Sequence, residues 1–220
     1  MYRYRYFLFF VFLIIFCLIN GFVKAEGKPL LSKVIYIDPG HGGNDSGAYY
    51  MKIREADINL QISQKILNIL RADGATVYLT RYGDYDLSVG NAWNRKRSDL
   101  SRRSNIINKS NCDLYLSIHL NAEDSGSYYG AEVYYDTINS ENKNIALIFQ
   151  DEFKKNLNTN RNIKENNTKY LQRRVNRPGV LLEVGFLSNS SERALLTSSD
   201  YQEVIAQVIE KGVLRYFKSY

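Results

Sequence analysis

Past Ala25 the chain alternates two hydrophobic rhythms, and that alternation restricts the fold more than any other feature. Short apolar runs rich in Val, Ile, Leu and Tyr (Val34–Asp38, Thr76–Thr80, Asp113–Leu120, Ala131–Tyr135 and Gly179–Val184) read as strands. Longer stretches with spacings of three and four (Glu55–Ala72, Leu100–Lys109, Asn142–Leu157 and Ser199–Phe217) read as helices. The order is mostly strand then helix, which predicts an α/β fold, one sheet with helices on both faces. Tyr82–Ser98, with the only tryptophan (Trp93), and Asn158–Asn176 are expected to be irregular. There is no internal repeat and no low-complexity linker. With 220 residues, 45% of them hydrophobic, and only 3 prolines, the chain suits one domain with its own core and excludes disorder, collagen and long coiled coil.

Residues 1–25 read as an address. Arg3 and Arg5 precede thirteen apolar residues from Phe7 to Ile19, and Val23-Lys24-Ala25 offers small residues for a signal peptidase. A spanning helix needs about 20 apolar residues. The expectation is therefore a signal peptide cut after Ala25, with an uncleaved membrane anchor as the alternative, followed by one working domain over 26–220 that lies outside the cytoplasm. Cys17 falls in the leader, so Cys112 is alone in the exported part and no internal disulfide is possible. The chain carries 29 Lys and Arg against 23 Asp and Glu, but three of the cations precede residue 26. The remaining excess is too mild to argue for nucleic acid.

Histidine is the informative scarcity, since the chain has only His41 and His119. VIYIDPGHGGNDSGA (34–48) is a strand that breaks into a glycine loop holding His41, with Asp38 and Asp45 nearby. In open α/β sheets ligands bind beyond the carboxyl ends of strands. His119 closes a second strand-like run, DLYLSIHLNA (113–122), with Tyr115 and Ser117 on its side of the strand. A lone histidine there would be a satisfied core residue, whereas two at strand ends suggest one site. On the expected helix from Glu55, Ile58, Ile62, Ile66 and Ile69 form a buried stripe, and a step of about 100° per residue puts Glu55 at its head. That carboxylate could simply favour the positive end of the helix dipole. With the histidines it makes a His, Glu, His set separated by 14 and 64 residues, the composition of a catalytic zinc site with one position left for water. It is not the compact H-E-x-x-H pattern.

Hydrolysis at such a site needs a general base that is not a ligand. In RPGVLLEVGFLSN (177–189), Glu183 interrupts an apolar strand, where a lone charge would be costly. It is either salt-bridged to Arg173, Arg174 or Arg177, or a buried acid with its pKa raised toward proton transfer.

Together these segments resemble the zinc-dependent N-acetylmuramoyl-L-alanine amidases of the amidase-3 type, from about Val34 to Tyr216. The likeness rests on IDPGHGGNDSGA, READINLQISQKILNILRADGATVYLTR, RRSNIINKSNCDLYLSIHLNA, GAEVYY and RPGVLLEVGFLSN. It implies zinc held by His41, Glu55 and His119, Glu183 as the acid/base, and a mixed, mostly parallel six-stranded sheet of phosphorylase/hydrolase-like type. It also implies cleavage between the lactyl group of muramic acid and the L-alanine of the stem peptide in peptidoglycan. DYDLSVGNAWNRKRSDLSRRSNIIN (84–108) is similar to the spore-cortex amidases, which help form muramic δ-lactam with a separate deacetylase and would act on the cortex side of a spore-former. An activating protein partner and membrane association through residues 1–25 are further expectations.

The basic segment from Lys154 to Arg177 either meets stem-peptide carboxylates or is a solvated loop. Other chemistries fit less well. There is no G-x-S-x-G elbow for a serine hydrolase using Ser117, and Asp113 would oppose a Cys112 thiolate. A noncatalytic wall-binding module, or a zinc peptidase cutting another stem-peptide bond, remains as an alternative.

Overall fold

The computed structural model of the chain describes residues 27–219, together with Tyr6, Val11 and Phe12. The expected leader over 1–25 therefore falls largely outside the described residues. No helix among those described is long and apolar enough to cross a membrane.

Among the described residues from Gly27 onward, eight strands form a six-stranded sheet and one small hairpin, accompanied by five α-helices. In chain order they are β1 (Val34–Pro39), β2 (Tyr49–Tyr50), β3 (Ile53–Arg54), α1 (Glu55–Ala72), β4 (Thr76–Leu79), α2 (Arg95–Lys109), β5 (Leu114–Asn121) and β6 (Glu132–Tyr135). There follow α3 (Asn142–Asn156), β7 (Lys164–Glu165), a 3-10 turn (Gln172–Arg174), β8 (Gly179–Phe186), α4 (Ser190–Leu196) and α5 (Ser199–Lys218). The six-stranded sheet has the order β4-β1-β5-β8-β6-β7, and β2-β3 is the separate hairpin. Within the six-stranded sheet only β6 against β8 is antiparallel, so the mixed, mostly parallel sheet expected from the sequence is present.

Alternation along the central strands divides the core between the two faces. Ile35 and Ile37 of β1 and Leu114, Leu116 and Ile118 of β5 enter the larger core, beneath α1, α3 and α5. Val34, Tyr36 and Tyr115 face a smaller one with Ile107 of α2 and with Leu171 and Val175 around the 3-10 turn. Burying each large aliphatic side chain contributes about 1.5–3 kcal/mol, which makes the larger core the main source of stability.

Helix α1 spans the expected residues. Ile58, Ile62 and Ile66 are buried as the spacing requires, but Leu70 completes the stripe and Ile69 is only half-buried. Acidic Glu55 and Asp57 lie in its first turn and Arg71 in its last, matching the helix dipole. Other bounds differ from the sequence reading. Helix α2 starts at Arg95 rather than Leu100, because the Asn94 side chain caps it by accepting from the Arg97 amide. The stretch Asn158–Asn176 is not wholly irregular, since Lys164 and Glu165 pair with β6. The β2-β3 hairpin turns on Met51 and Lys52, both at positive φ, where no glycine announced a turn. Helix α4 begins at an Asn189 cap.

Candidate metal centre and its acidic neighbour

Three donors converge at the carboxyl ends of β1 and β5. His41 follows β1, Glu55 is the first residue of α1, and His119 lies near the end of β5. One potential ligand atom from each lies within 4.8 Å of the others. Both histidines reach the same carboxylate: His41 Nε2 is 3.2 Å from Glu55 Oε2, and His119 Nδ1 is 3.1 Å from Glu55 Oε1. Glu55 also accepts from the backbone amides of Ala48 and Leu120, at 2.9 and 3.0 Å. Its position is therefore fixed by the chain around it, and the helix dipole is only one contributor.

The backbone makes room for this convergence. His41 itself has φ 62°, and a Cβ at Gly40 would stand 2.3–2.6 Å from atoms of the His119 ring. A Cβ at Gly47, where φ is +65°, would lie 2.4 Å from Glu55 Oε2. Two buried arginines brace the same loop. Arg81 donates to the carbonyls of Pro39, Gly40, Ala56 and Gly83. Arg103 donates to the carbonyls of Pro39 and His41 and ion-pairs with Asp38 and Asp99, each at 2.9 Å. Asp38 in turn accepts from the Thr80 and Ser117 hydroxyls.

The electrostatics follow from this geometry. Burial would lower the His41 pKa, but contacts with Asp45 and Glu55 outweigh it and raise it to about 9. Asp45 Oδ2 lies 2.9 Å from His41 Nδ1, close enough for an ion pair though not aligned as a hydrogen bond. Burial opposes ionisation of Glu55 too, yet the two imidazoles hold its carboxyl well below the ordinary range. The donors suit a zinc ion, being imidazole, carboxylate and imidazole, and Asp45 stands behind one imidazole to orient it.

Strand register brings a second carboxylate beside the first set. His119 of β5 is paired with Glu183 of β8, which is paired on its other side with Glu132 of β6. The two glutamates are neighbours in unlike surroundings. Glu132 takes contacts from Asn121, Tyr134, Arg161 and Lys164, which outweigh burial and lower its pKa. Glu183 is pushed up by burial despite Lys169, whose Nζ is 3.2 Å from Oε1, and its Oε2 has no hydrogen-bond partner. The salt-bridge partner of Glu183 is thus Lys169 and not Arg173, Arg174 or Arg177, because the 166–171 loop places the lysine over the strand. His41, Glu55, His119, Glu183 and Lys169 all line one cavity of about 490 Å³.

Sequence reasoning brought in His41, Glu55, His119 and Glu183, and the structure brings these four together. It missed Arg81, Arg103, Glu132 and Lys169. A signal did exist for Arg103: Asp99, Arg103 and Ile107 recur every four residues on one buried helix face. Cys112 is buried, and its thiol is pushed up by that burial, which removes it as a nucleophile.

The chain is similar in sequence and fold to known proteins. The sequence pattern of the N-acetylmuramoyl-L-alanine amidase (Amidase_3) family matches residues 35–215. The germination-specific N-acetylmuramoyl-L-alanine amidase of Bacillus subtilis (strain 168) is 44% identical over 202 residues, covering 90% of this chain and 85% of that protein. Among solved structures, the CwlD amidase from Clostridioides difficile, in complex with the GerS lipoprotein, superposes with a TM-score of 0.82. It is 37% identical, over 86% of this chain and 100% of that one. The catalytic domain of CwlV, the amidase from Bacillus (Paenibacillus) polymyxa var. colistinus, gives 0.75 at 33% identity, over 84% of this chain and 98% of that one. The family match over most of the chain, and relatives this similar along nearly their whole length, make the protein a member of the N-acetylmuramoyl-L-alanine amidase family.

Proposed function

We propose that this protein cleaves the amide between N-acetylmuramic acid and the L-alanine of the stem peptide in spore-cortex peptidoglycan, with zinc held by His41, Glu55 and His119. One observation carries the reading most directly: Glu183, with an oxygen that lacks any partner, shares a cavity with three converging donors. The similarity to a germination-specific amidase supports the cortex role, with muramic δ-lactam formation completed by a separate deacetylase.

When bound, zinc supplies a Lewis acid that polarises an amide carbonyl and makes water a better nucleophile near neutral pH. The chain's own residues do the rest. Glu183 takes a proton from the attacking water on its free oxygen, at a pKa that burial has raised toward the working range. It then returns that proton to the leaving nitrogen of L-alanine. Lys169 holds the other oxygen, which orients the carboxylate. The apolar neighbours of Glu183 on β8 limit competing water.

On this reading residues 26–220 form the catalytic domain and residues 1–25 direct it out of the cytoplasm or anchor it to a membrane. The CwlD complex with GerS supports a lipoprotein partner here too. The test digests purified cortex peptidoglycan with the protein, with and without added zinc, and reads the released termini by mass spectrometry. Zinc-dependent L-alanine amino termini are expected, and Glu183→Gln should lose about 100-fold or more in rate while binding zinc normally. New termini elsewhere would make the protein a peptidase. Zinc binding without any cleavage, even with a lipoprotein partner supplied, would leave a wall-binding role.

A further inference from the structure

Beside the catalytic cavity lies a recess lined by Arg97, Thr168, Tyr170, Arg173 and Arg174, also of about 490 Å³. Tyr170 borders both spaces. The two differ in charge balance. In the catalytic cavity each cation faces an acid: Lys96 lies 3.6 Å from Asp45, Lys169 lies 3.2 Å from Glu183, and Arg103 is held between Asp38 and Asp99. In the recess, Arg97, Arg173 and Arg174 have no carboxylate in ion-pair contact among the described residues.

Packing gathers these charges despite their mutual repulsion. The Arg174 guanidinium sits 4.5 Å and that of Arg97 5.7 Å from the centre of the Tyr170 ring. One aromatic side chain thus draws two cations together, Arg97 also hydrogen-bonding to the Tyr170 side chain, and neither guanidinium has a carboxylate in ion-pair contact among the described residues. The 3-10 turn adds Arg173 at the same rim. Cations gathered at one recess repel one another over a screening length of about 8 Å, so an anion placed among them relieves repulsion as well as accepting hydrogen bonds. All three arginines are solvent-exposed, and the recess is therefore open to a ligand from outside.

We propose that this recess is a subsite for a free carboxylate of the stem peptide, on the carboxyl side of the L-alanine whose amide is cut. The proposal rests on the amidase reading of the neighbouring cavity, because that reaction puts the sugar on one side of the reacting carbonyl and the peptide on the other. Beyond L-alanine a stem peptide offers an acidic second residue with a free carboxylate, and a planar guanidinium fork fits a carboxylate's two oxygens.

The test measures binding first. The full-chain protein, zinc-loaded and zinc-stripped, is titrated calorimetrically with a synthetic stem tetrapeptide whose second residue carries a free carboxylate, and with the same peptide amidated there. Amidation should weaken binding about fivefold, and the difference should shrink below about twofold in a variant with Arg97→Gln, Arg173→Gln and Arg174→Gln. Arg174→Gln alone is carried in parallel, with circular dichroism to confirm folding of both variants. Equal affinity for the two peptides, or a difference that persists in the variants, overturns the subsite. So does tighter binding of glycerol phosphodiester oligomers at the same arginines, which would assign the recess to a phosphate-bearing wall polymer. Turnover separates the two readings: discrimination in binding without cleavage of a muramoyl peptide removes the amidase reading and leaves the subsite. Cleavage of free and amidated muramoyl peptides with equal KM does the reverse.

Discussion

Two sets of arginines lie near the cavity that holds His41, Glu55 and His119, and they have opposite circumstances. Arg81 and Arg103 are almost completely buried, and each spends its guanidinium on loop carbonyls, Arg103 on two carboxylates besides. Arg97, Arg173 and Arg174 are exposed and are in ion-pair contact with no acid among the described residues. The first set fixes the backbone that carries His41, and the second leaves its donors to something outside the fold. The same residue type can therefore be scaffold or receptor according to whether the chain has already filled its hydrogen-bonding edge.

Breaking the buried set should have the largest consequence. Arg103→Met strands Asp38 and Asp99 without their cation and should cost about 3–5 kcal/mol in denaturant unfolding, with reduced zinc stoichiometry by metal analysis. Gly40→Ala attacks the same loop by crowding the His119 ring. It should cost about 1–3 kcal/mol and lower zinc affinity in a competition assay with a chelator, whereas Gly90→Ala, with no neighbouring atom near the added carbon, should do neither.

Acid sharpens the comparison without a mutation in the loop. Burial raises the Asp38 pKa, but Arg103 and Thr80 overcome it and hold the carboxyl below its ordinary value. The stability this confers is present above the unfolded pKa of about 3.9 and is lost as pH falls through the lower folded value. Between those values wild-type stability should fall more steeply with decreasing pH than that of Asp38→Asn, measured by urea unfolding. At the smallest end, Arg174→Gln should change stability by no more than about 0.5 kcal/mol, because its exposed guanidinium contacts only the half-buried Tyr170 ring.

How much of this was readable beforehand depended on the kind of interaction. Helix α1 was legible to the residue because a buried stripe repeats, and the central strands were legible because apolar runs are long and continuous. The ends of β1, β5 and β8 were set one to two residues short, where Pro39, Asn121 and Gly185-Phe186 continue the strands past residues that interrupt the apolar pattern. The two-residue strand β7 is exposed and was hidden by its charges. Of the site, the scarcity of histidine and an acid within an apolar strand pointed to His41, His119 and Glu183. Arginines read as surface residues in a sequence, so the burial of Arg81 and Arg103 needed the tertiary contacts themselves. Likewise nothing local could say that Lys169, rather than a neighbouring arginine, would meet Glu183.

The pairing of β1 with β5 has a kinetic meaning as well. Pro39 is in register with Ile118, 79 positions further along the chain, and His41 and His119 lie just beyond that rung. Contacts of such long sequence separation close late, since loop-closure entropy has to be overcome before they are rewarded. The three donors are therefore scattered in a newly made chain and assemble only when the centre of the sheet zips. If the three donors hold zinc as proposed, metal capture would serve as a clock for folding, with the time course of zinc uptake following strand pairing and not diffusion of the ion.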